Sequence, residues 1–335
     1  MTHGARLGVD LRRALAGYLG RARGVDADPA RLLICSGFTH ALAILCLALR
    51  RDGVGALAVE DPCAPRYREL VRTMGLDVVP VACDADGLRV DLLASSGARA
   101  VLVTPAHQYP LGVTMSAARR TALVAWARTQ HALIIEDDYD GEFRYDRQPV
   151  GALQPLDPEH VAYVGSASKT LAPGLRLGWL AVPDGRVRAV AAMKENLDRG
   201  GAILDQLTFA EFIDSGAFDR QIRRMRTVYR RRRDELAREI AAHPARPGLA
   251  GIGLAGIAAG LHAVIYLPEH CGTADRLRDR AARNSIALDA LTGYWVRPPE
   301  PCPQAIVVGF GTQAGARVPA RPAGAGQAAR DRSGT

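Results

Sequence analysis

Val164-Gly165-Ser166-Ala167-Ser168-Lys169-Thr170-Leu171-Ala172-Pro173-Gly174-Leu175-Arg176-Leu177-Gly178-Trp179 sets one lysine among hydroxyls, then a Pro-Gly turn, then an arginine leading into an apolar strand. A lysine that reacts as an amine needs neighbours that favour its neutral form, and condensation with a carbonyl cofactor uses such a lysine. Ser166, Ser168 and Arg176 offer two hydroxyl donors and one planar cationic fork, a set suited to a phosphate. On its own S-x-S-K is short, and a polar loop with a solvated lysine fits it equally well.

Upstream, Leu133-Ile134-Ile135-Glu136-Asp137-Asp138-Tyr139-Asp140 runs from apolar residues into carboxylates. That pattern reads as a buried strand whose carboxyl end carries chemistry, as at the crevice of an open α/β sheet. A pyridine-based cofactor needs a carboxylate at its ring nitrogen to keep that nitrogen protonated. Asp137 suits this role, and Tyr139 is placed to reach a phenolic oxygen on such a ring. An acidic turn, solvated or calcium-binding, is the competing reading, and the lysine stretch downstream weighs against it.

Taken in order, Ser36-Gly37-Phe38-Thr39-His40-Ala41-Leu42, Thr104-Pro105-Ala106-His107-Gln108-Tyr109-Pro110-Leu111-Gly112, Glu136-Asp137-Asp138-Tyr139 and Ser166-Ala167-Ser168-Lys169-Thr170 resemble fold-type-I aminotransferases. More closely, the set resembles the aminotransferase-like domain of MocR-type regulators, a branch of the GntR group, over roughly residues 4 to 312. Its motifs are specific as an ordered set and weak singly. The resemblance implies pyridoxal 5'-phosphate as cofactor, bound covalently by Lys169, with Asp137 at the ring nitrogen and Tyr139 and His107 near the ring oxygen. Gly37, Phe38, Thr39, Ser166, Ser168 and Arg176 would hold the phosphate. Lys169, once freed by an incoming amine, would move the α-proton. Arg66 and Arg297 are candidates for a substrate carboxylate. The family usually carries a ring-stacking aromatic near Ala64; here it is missing, and Tyr67 substitutes only if helical phase after Pro65 places it there.

Two functions follow from the resemblance. One is a class I/II-like aminotransferase that moves an amino group between an amino acid or amine and a 2-oxo acid, working as a homodimer. The other is the cofactor- or amine-sensing effector domain of a MocR-type transcriptional regulator. A winged-helix DNA-binding domain normally precedes this domain in that group, and no such segment is read here. The chain alone is therefore expected not to bind a specific DNA site.

Composition bounds these readings. The 335 residues are 48% hydrophobic and 23% charged, enough to bury one large domain and a smaller one. The formal net charge of +8 invites a nucleic-acid reading, but arginine-rich composition is weak support for it. The six cysteines form no C-x-x-C pair and no zinc-like spacing, so reduced thiols and no metal are expected. Residues Met1 to Arg6 hold no apolar core of signal-peptide length, and the one uncharged stretch approaching membrane length, 249 to 267, is broken by glycines. A soluble cytoplasmic protein is expected.

Along the chain, Leu7, Leu11, Leu15 and Leu19 predict an amphipathic helix over 7–23. Leu32-Leu33-Ile34-Cys35 predicts a strand that opens through Ser36-Gly37 into a helix, and such a turn is an anion site. Strands are read at 56–60, 77–81 and 100–103, with Ser116 as the N-cap of the helix through 119–129. Strand and helix patterns alternating from 30 to 190 predict an α/β fold with a mostly parallel sheet flanked by helices. From 189 to 243 the pattern is helical; Ile222, Met225, Tyr229, Leu236 and Ile240 share one face, and the arginines of 220–233 read as a solvated face. The expected division is an N-terminal helical segment 1–30, a large cofactor-binding domain 31–243, a smaller C-terminal α+β domain 244–313, and a disordered tail 314–335.

Overall fold

The computed structural model describes residues 8–145, 150–242 and 253–311. The expected tail 314–335 lies outside the described residues. An eight-stranded sheet is built from β1 (Leu32–Cys35), β2 (Ala56–Asp61), β3 (Asp77–Asp84), β4 (Gly87–Leu88), β5 (Ala100–Val103), β6 (Leu133–Asp137), β7 (Val161–Ser166) and β8 (Gly178–Ala181). Its order is β1-β8-β7-β6-β5-β2-β3-β4. The run from β3 through β7 is parallel, while β8 is antiparallel to both of its neighbours and β4 to β3. β3 reaches three residues beyond its predicted end at 81, where pairing with β4 extends it.

Central strands buried on both faces should be apolar throughout, and β5 and β6 are buried along their whole length. Successive side chains point to opposite faces, so Leu133 and Ile135 join one core while Ile134 joins the other. The first core lies under α2 (Phe38–Arg51), α3 (Pro65–Thr73) and α6 (Asp184–Asp198). The second lies under α4 (Val90–Ala94) and α5 (Ala117–Gln130), the latter capped by Ser116, whose hydroxyl accepts from Arg119 N at 3.4 Å. A third core joins α1 (Val9–Arg23) and α7 (Ile203–Asp214) to Tyr163, Trp179 and Phe218.

The 26-residue helix α8 (Ala217–Ala242) runs from this third core toward a second sheet. Ile222 packs in the α1–α7 core, Met225 and Tyr229 beside Phe143, and Leu236 and Ile240 under the small sheet. Its apolar stripe is thus consumed by three separate contacts, leaving most arginines outward. The small sheet orders β11 (Asp289–Ala290), β12 (Ala305–Gly309), β10 (His262–Tyr266) and β9 (Gly253–Ala255), all antiparallel, with α9 (Ala274–Arg283) packed on it. Among the described residues no helix is long and apolar enough to cross a membrane.

Candidate active site

The parallel strands and β1 all deliver their carboxyl ends to one edge of the large sheet, the place where open α/β sheets put ligands. At β1, the chain turns through Ser36 and Gly37 into α2. Gly37 has φ 83°, a conformation that side chains resist, and no side chain caps the helix, so the first-turn N–H groups of Phe38 and Thr39 are open to a ligand. Register pairs Cys35 with Gly178 across β1–β8 and Ser166 with Gly178 across β7–β8, which draws Ser166 and the residues just before β8 to the same point. Arg176 Nη2 accordingly donates to Ser36 O at 2.8 Å, and a Cβ at Gly37 would stand 3.1 Å from that nitrogen. A helix N-terminus and a guanidinium facing one space form an anion cradle. Gly37, Phe38, Thr39, Ser166 and Arg176 are brought together, and half-buried Ser168 follows on the same turn.

Five carboxylates fall within Glu136–Glu142, and the fold gives each a different use. Glu136 accepts from Leu153 N at 2.7 Å and Gln154 N at 2.9 Å. Asp138 is bound by Arg23 and by the Tyr163 hydroxyl at 2.7 Å. Asp140 Oδ2 lies 2.9 Å from His107 Nδ1, and Glu142 accepts from Tyr18 Oη at 3.2 Å. Asp137 Oδ2 is left buried and without a partner among the described residues. Burial, then the charges of Asp138 and Asp140, push the Asp137 carboxyl well above its ordinary range; Arg66 and the Tyr67 hydroxyl oppose this. A buried acceptor in that state favours a ligand that brings a proton or a positive charge to it.

Lys169 follows β7 on the same edge. Desolvation by the surrounding chain, then the cation of Arg66, push its ammonium below the usual range, and Asp140 and Asp137 pull the other way. The second lysine of the chain, Lys194, is instead held by Asp198 through bonds of 2.7 and 2.9 Å. Those two are the whole lysine content of the sequence, a signal that composition alone offers.

Tyr139 Oη lies 3.1 Å from His107 Nδ1, so the two residues expected at a ring oxygen meet each other and Asp140. His262, the first residue of β10, joins them with its ring 4.9 Å from that of His107. Its Nε2 is 3.0 Å from Pro110 O, and burial, then His107 and Lys169, lower it to about 3, which keeps it neutral. His107, Asp140 and His262 offer ligand atoms within 4.8 Å of one another. The His107–Asp140 and His262–Pro110 bonds already engage these groups. Nothing in the local sequence around His262 separates it from an ordinary strand residue.

On the substrate side the two candidate arginines part. Arg66 sits with its guanidinium 5.0 Å over the Tyr67 ring, and its charge acts on Lys169 and Asp137. Both arginines are exposed, but Arg297 enters through its backbone N–H, which donates to Asp61 Oδ2 at 2.9 Å and anchors the small-domain segment beside α3. Ala64 is buried at the start of α3, and Tyr67 packs on Phe38 with ring centroids 4.7 Å apart. The first turn of α3 sets Tyr67 beside Phe38, with its hydroxyl on Asp137. Beneath it, fully buried Glu60 accepts from Thr104 N at 3.1 Å and Thr104 Oγ1 at 2.5 Å. Glu60 and the aromatic pair Tyr109–Tyr294, whose hydroxyls are 3.1 Å apart, escape sequence reading because their partners are distant in the chain.

The family profile described as aminotransferase class I and II matches residues 5–298. The chain is 34% identical over 259 residues to the uncharacterized HTH-type transcriptional regulator YhdI of Bacillus subtilis, covering 77% of this chain and 54% of that protein. It is 32% identical over 295 residues to the HTH-type pyridoxine biosynthesis transcriptional regulator PdxR of Corynebacterium glutamicum, covering 88% and 62%. The chain thus spans about half the length of the curated relatives it matches. Among solved structures, an archaeal alanine:glyoxylate aminotransferase superposes with a TM-score of 0.80 at 25% identity, covering 93% of this chain and 78% of that one. Fold-type-I aminotransferases generally depend on pyridoxal phosphate.

Proposed function

Because this chain belongs to the aminotransferase class I and II family, we propose that it binds pyridoxal 5'-phosphate at Lys169 and moves an amino group between an amino acid or amine and a 2-oxo acid. One observation carries the reading: the buried Oδ2 of Asp137, an acceptor without a partner among the described residues. The open first turn of α2 facing Arg176 supports a phosphate, and the disfavoured ammonium of Lys169 supports a covalent link. Ala64 stands in place of a stacking aromatic, and Tyr67, packed on Phe38 from the same first turn of α3, is the candidate to replace it.

Bound, the cofactor supplies an electron sink for the charge left when the substrate's α-proton departs. Asp137 would keep the ring nitrogen protonated, and Gly37, Phe38, Thr39, Ser166, Ser168 and Arg176 would hold the phosphate. Tyr139 and His107 would orient the ring through its oxygen. The released Lys169 Nζ would take the proton from the substrate's α-carbon and return it, for which a lowered ammonium is suited. Arg66, already facing Lys169 and Asp137, is better placed than Arg297 for a substrate carboxylate. As proposed, the protein is a cytoplasmic homodimer whose domains divide at 30/31 and 243/244.

A second reading is favoured by the lengths and names of the relatives. In proteins named HTH-type regulators, about half the length corresponds to this chain, so the same pocket can serve to sense an amine or the cofactor without turnover. Titration of the purified protein with pyridoxal phosphate, read by visible absorption, tests binding; Asp137→Asn should weaken it strongly. Addition of amino donors and 2-oxo acids then separates the readings. Product formation supports the enzyme, and spectral change without product supports the sensor. A protein that stays colourless at millimolar cofactor sinks both.

A further inference from the structure

Arg23 ends α1, 115 residues before Asp138 in the chain, and its side chain is buried against the stretch that carries the ligand-facing residues. Its Nε and Nη2 donate to the two oxygens of Asp138 at 2.6 and 3.0 Å, and its Nη1 donates to Gly141 O at 3.0 Å and Val150 O at 2.9 Å. A forked cation thus ties Asp138 to Gly141 across Tyr139 and Asp140, directly after Asp137. The Tyr163 hydroxyl adds a third donor to Asp138. Gly141 is packed so closely on Arg23 and Asp138 that a Cβ there would displace the pair. After burial, the charge of Asp138 is the largest influence on Asp137, ahead of Asp140, Arg66 and Tyr67.

We infer that Arg23 is a positioning residue for the cofactor pocket: it pairs with the charge of Asp138 and ties Asp138 to Gly141, so that Asp137 is the carboxylate held free to meet the ring nitrogen. The inference rests on the reading of Asp137 and Lys169 given above. Removing one partner of a buried pair leaves an uncompensated charge in place, which is more damaging than the pair is stabilising. An uncompensated Asp138 favours every nearby proton. It would also free the turn that carries Tyr139 and Asp140.

The test compares Arg23→Gln, Arg23→Lys and the double variant Arg23→Gln/Asp138→Asn with the unaltered chain. In ligand-free protein, hydrogen exchange should lose protection selectively over 137–142 in Arg23→Gln. With pyridoxal phosphate, affinity should fall about 10- to 100-fold, the loss typical when an outer partner of a ligand-holding side chain is removed. The pH midpoint of the visible band should rise in Arg23→Gln, stay near the original in Arg23→Lys, and return in the double variant. A merely structural Arg23 would lower stability without moving that midpoint, and an unmoved midpoint with uniform exchange overturns the inference. So does a double variant that stays as shifted as the single one. If Arg23→Gln does not fold, Tyr163→Phe strips a weaker donor from the same carboxylate and should shift the midpoint up by less; no shift counts against the inference. If the unaltered protein binds no cofactor, the functional reading fails, and exchange over 137–142 still decides whether Arg23 holds the turn.

Discussion

Replacing Glu60 by Gln should stabilise the ligand-free protein at neutral and alkaline pH and leave it unchanged in acid. Glu60 is buried under the site with Oε2 taken by Thr104 and Oε1 partnerless among the described residues. Burial pushes its carboxyl from 4.5 up to about 7, against the pull of the Thr104 and Gln108 hydrogen bonds. Folding therefore favours the protonated form. That contribution is fully present below about pH 4.5 and is lost as the pH rises through about 7. A rise from 4.5 to about 7, at about 1.4 kcal/mol per tenfold, sets a ceiling of about 3 kcal/mol on the penalty at pH 8. Gln offers the same oxygen to Thr104 and carries no charge, so the variant escapes the penalty. Urea unfolding of both proteins at pH 5, 6, 7 and 8 measures the difference, which should grow over this range. A constant loss of stability at every pH would show that the carboxylate is charged and needed, refuting the burial argument.

Further outcomes follow from the same geometry. Gly37→Ala should weaken pyridoxal phosphate binding by about tenfold or more, because a backbone region reserved for glycine costs roughly 1–3 kcal/mol to impose on alanine, and its Cβ would press on Arg176; unchanged affinity by absorption titration would remove the α2 turn from the site. Duplex DNA should bind this chain without sequence preference and release it as salt is raised, since the α8 arginines lie on a helix whose apolar face is buried; a preference that survives added salt, in a titration of random against promoter-derived duplexes, would restore the regulator reading for the isolated chain.

Local chemistry decided which parts of the molecule were readable from sequence. The α/β class follows from apolar runs at β5 and β6, and the Ser116 cap from one hydroxyl ahead of a helix. The segment 136–140 draws attention because an apolar strand breaks into carboxylates. Which of those carboxylates is left over depends on Arg23, Leu153 and Tyr163, and a buried pair formed across 115 residues leaves no local pattern. The same holds for His262, which is delivered to His107 by the small sheet, and for the choice between Arg66 and Arg297, both beside prolines and both exposed, of which the fold sets Arg66 over the Tyr67 ring. Tyr67 needed the phase of α3, a matter of one residue at a helix start, where sequence is least exact.

The covalent role of Lys169 is open to one direct measurement, made simpler by a chain whose only other lysine is Lys194. The protein is incubated with stoichiometric pyridoxal phosphate at pH 8, reduced with borohydride, digested and mapped by mass spectrometry. The phosphopyridoxyl group should be found on Lys169, near one per chain, and vanish in Lys169→Ala. Lys194, bound to Asp198 through both carboxylate oxygens, should remain unlabelled. Labelling spread between Lys194 and the amino terminus, or none at all, would contradict a cofactor site at Lys169.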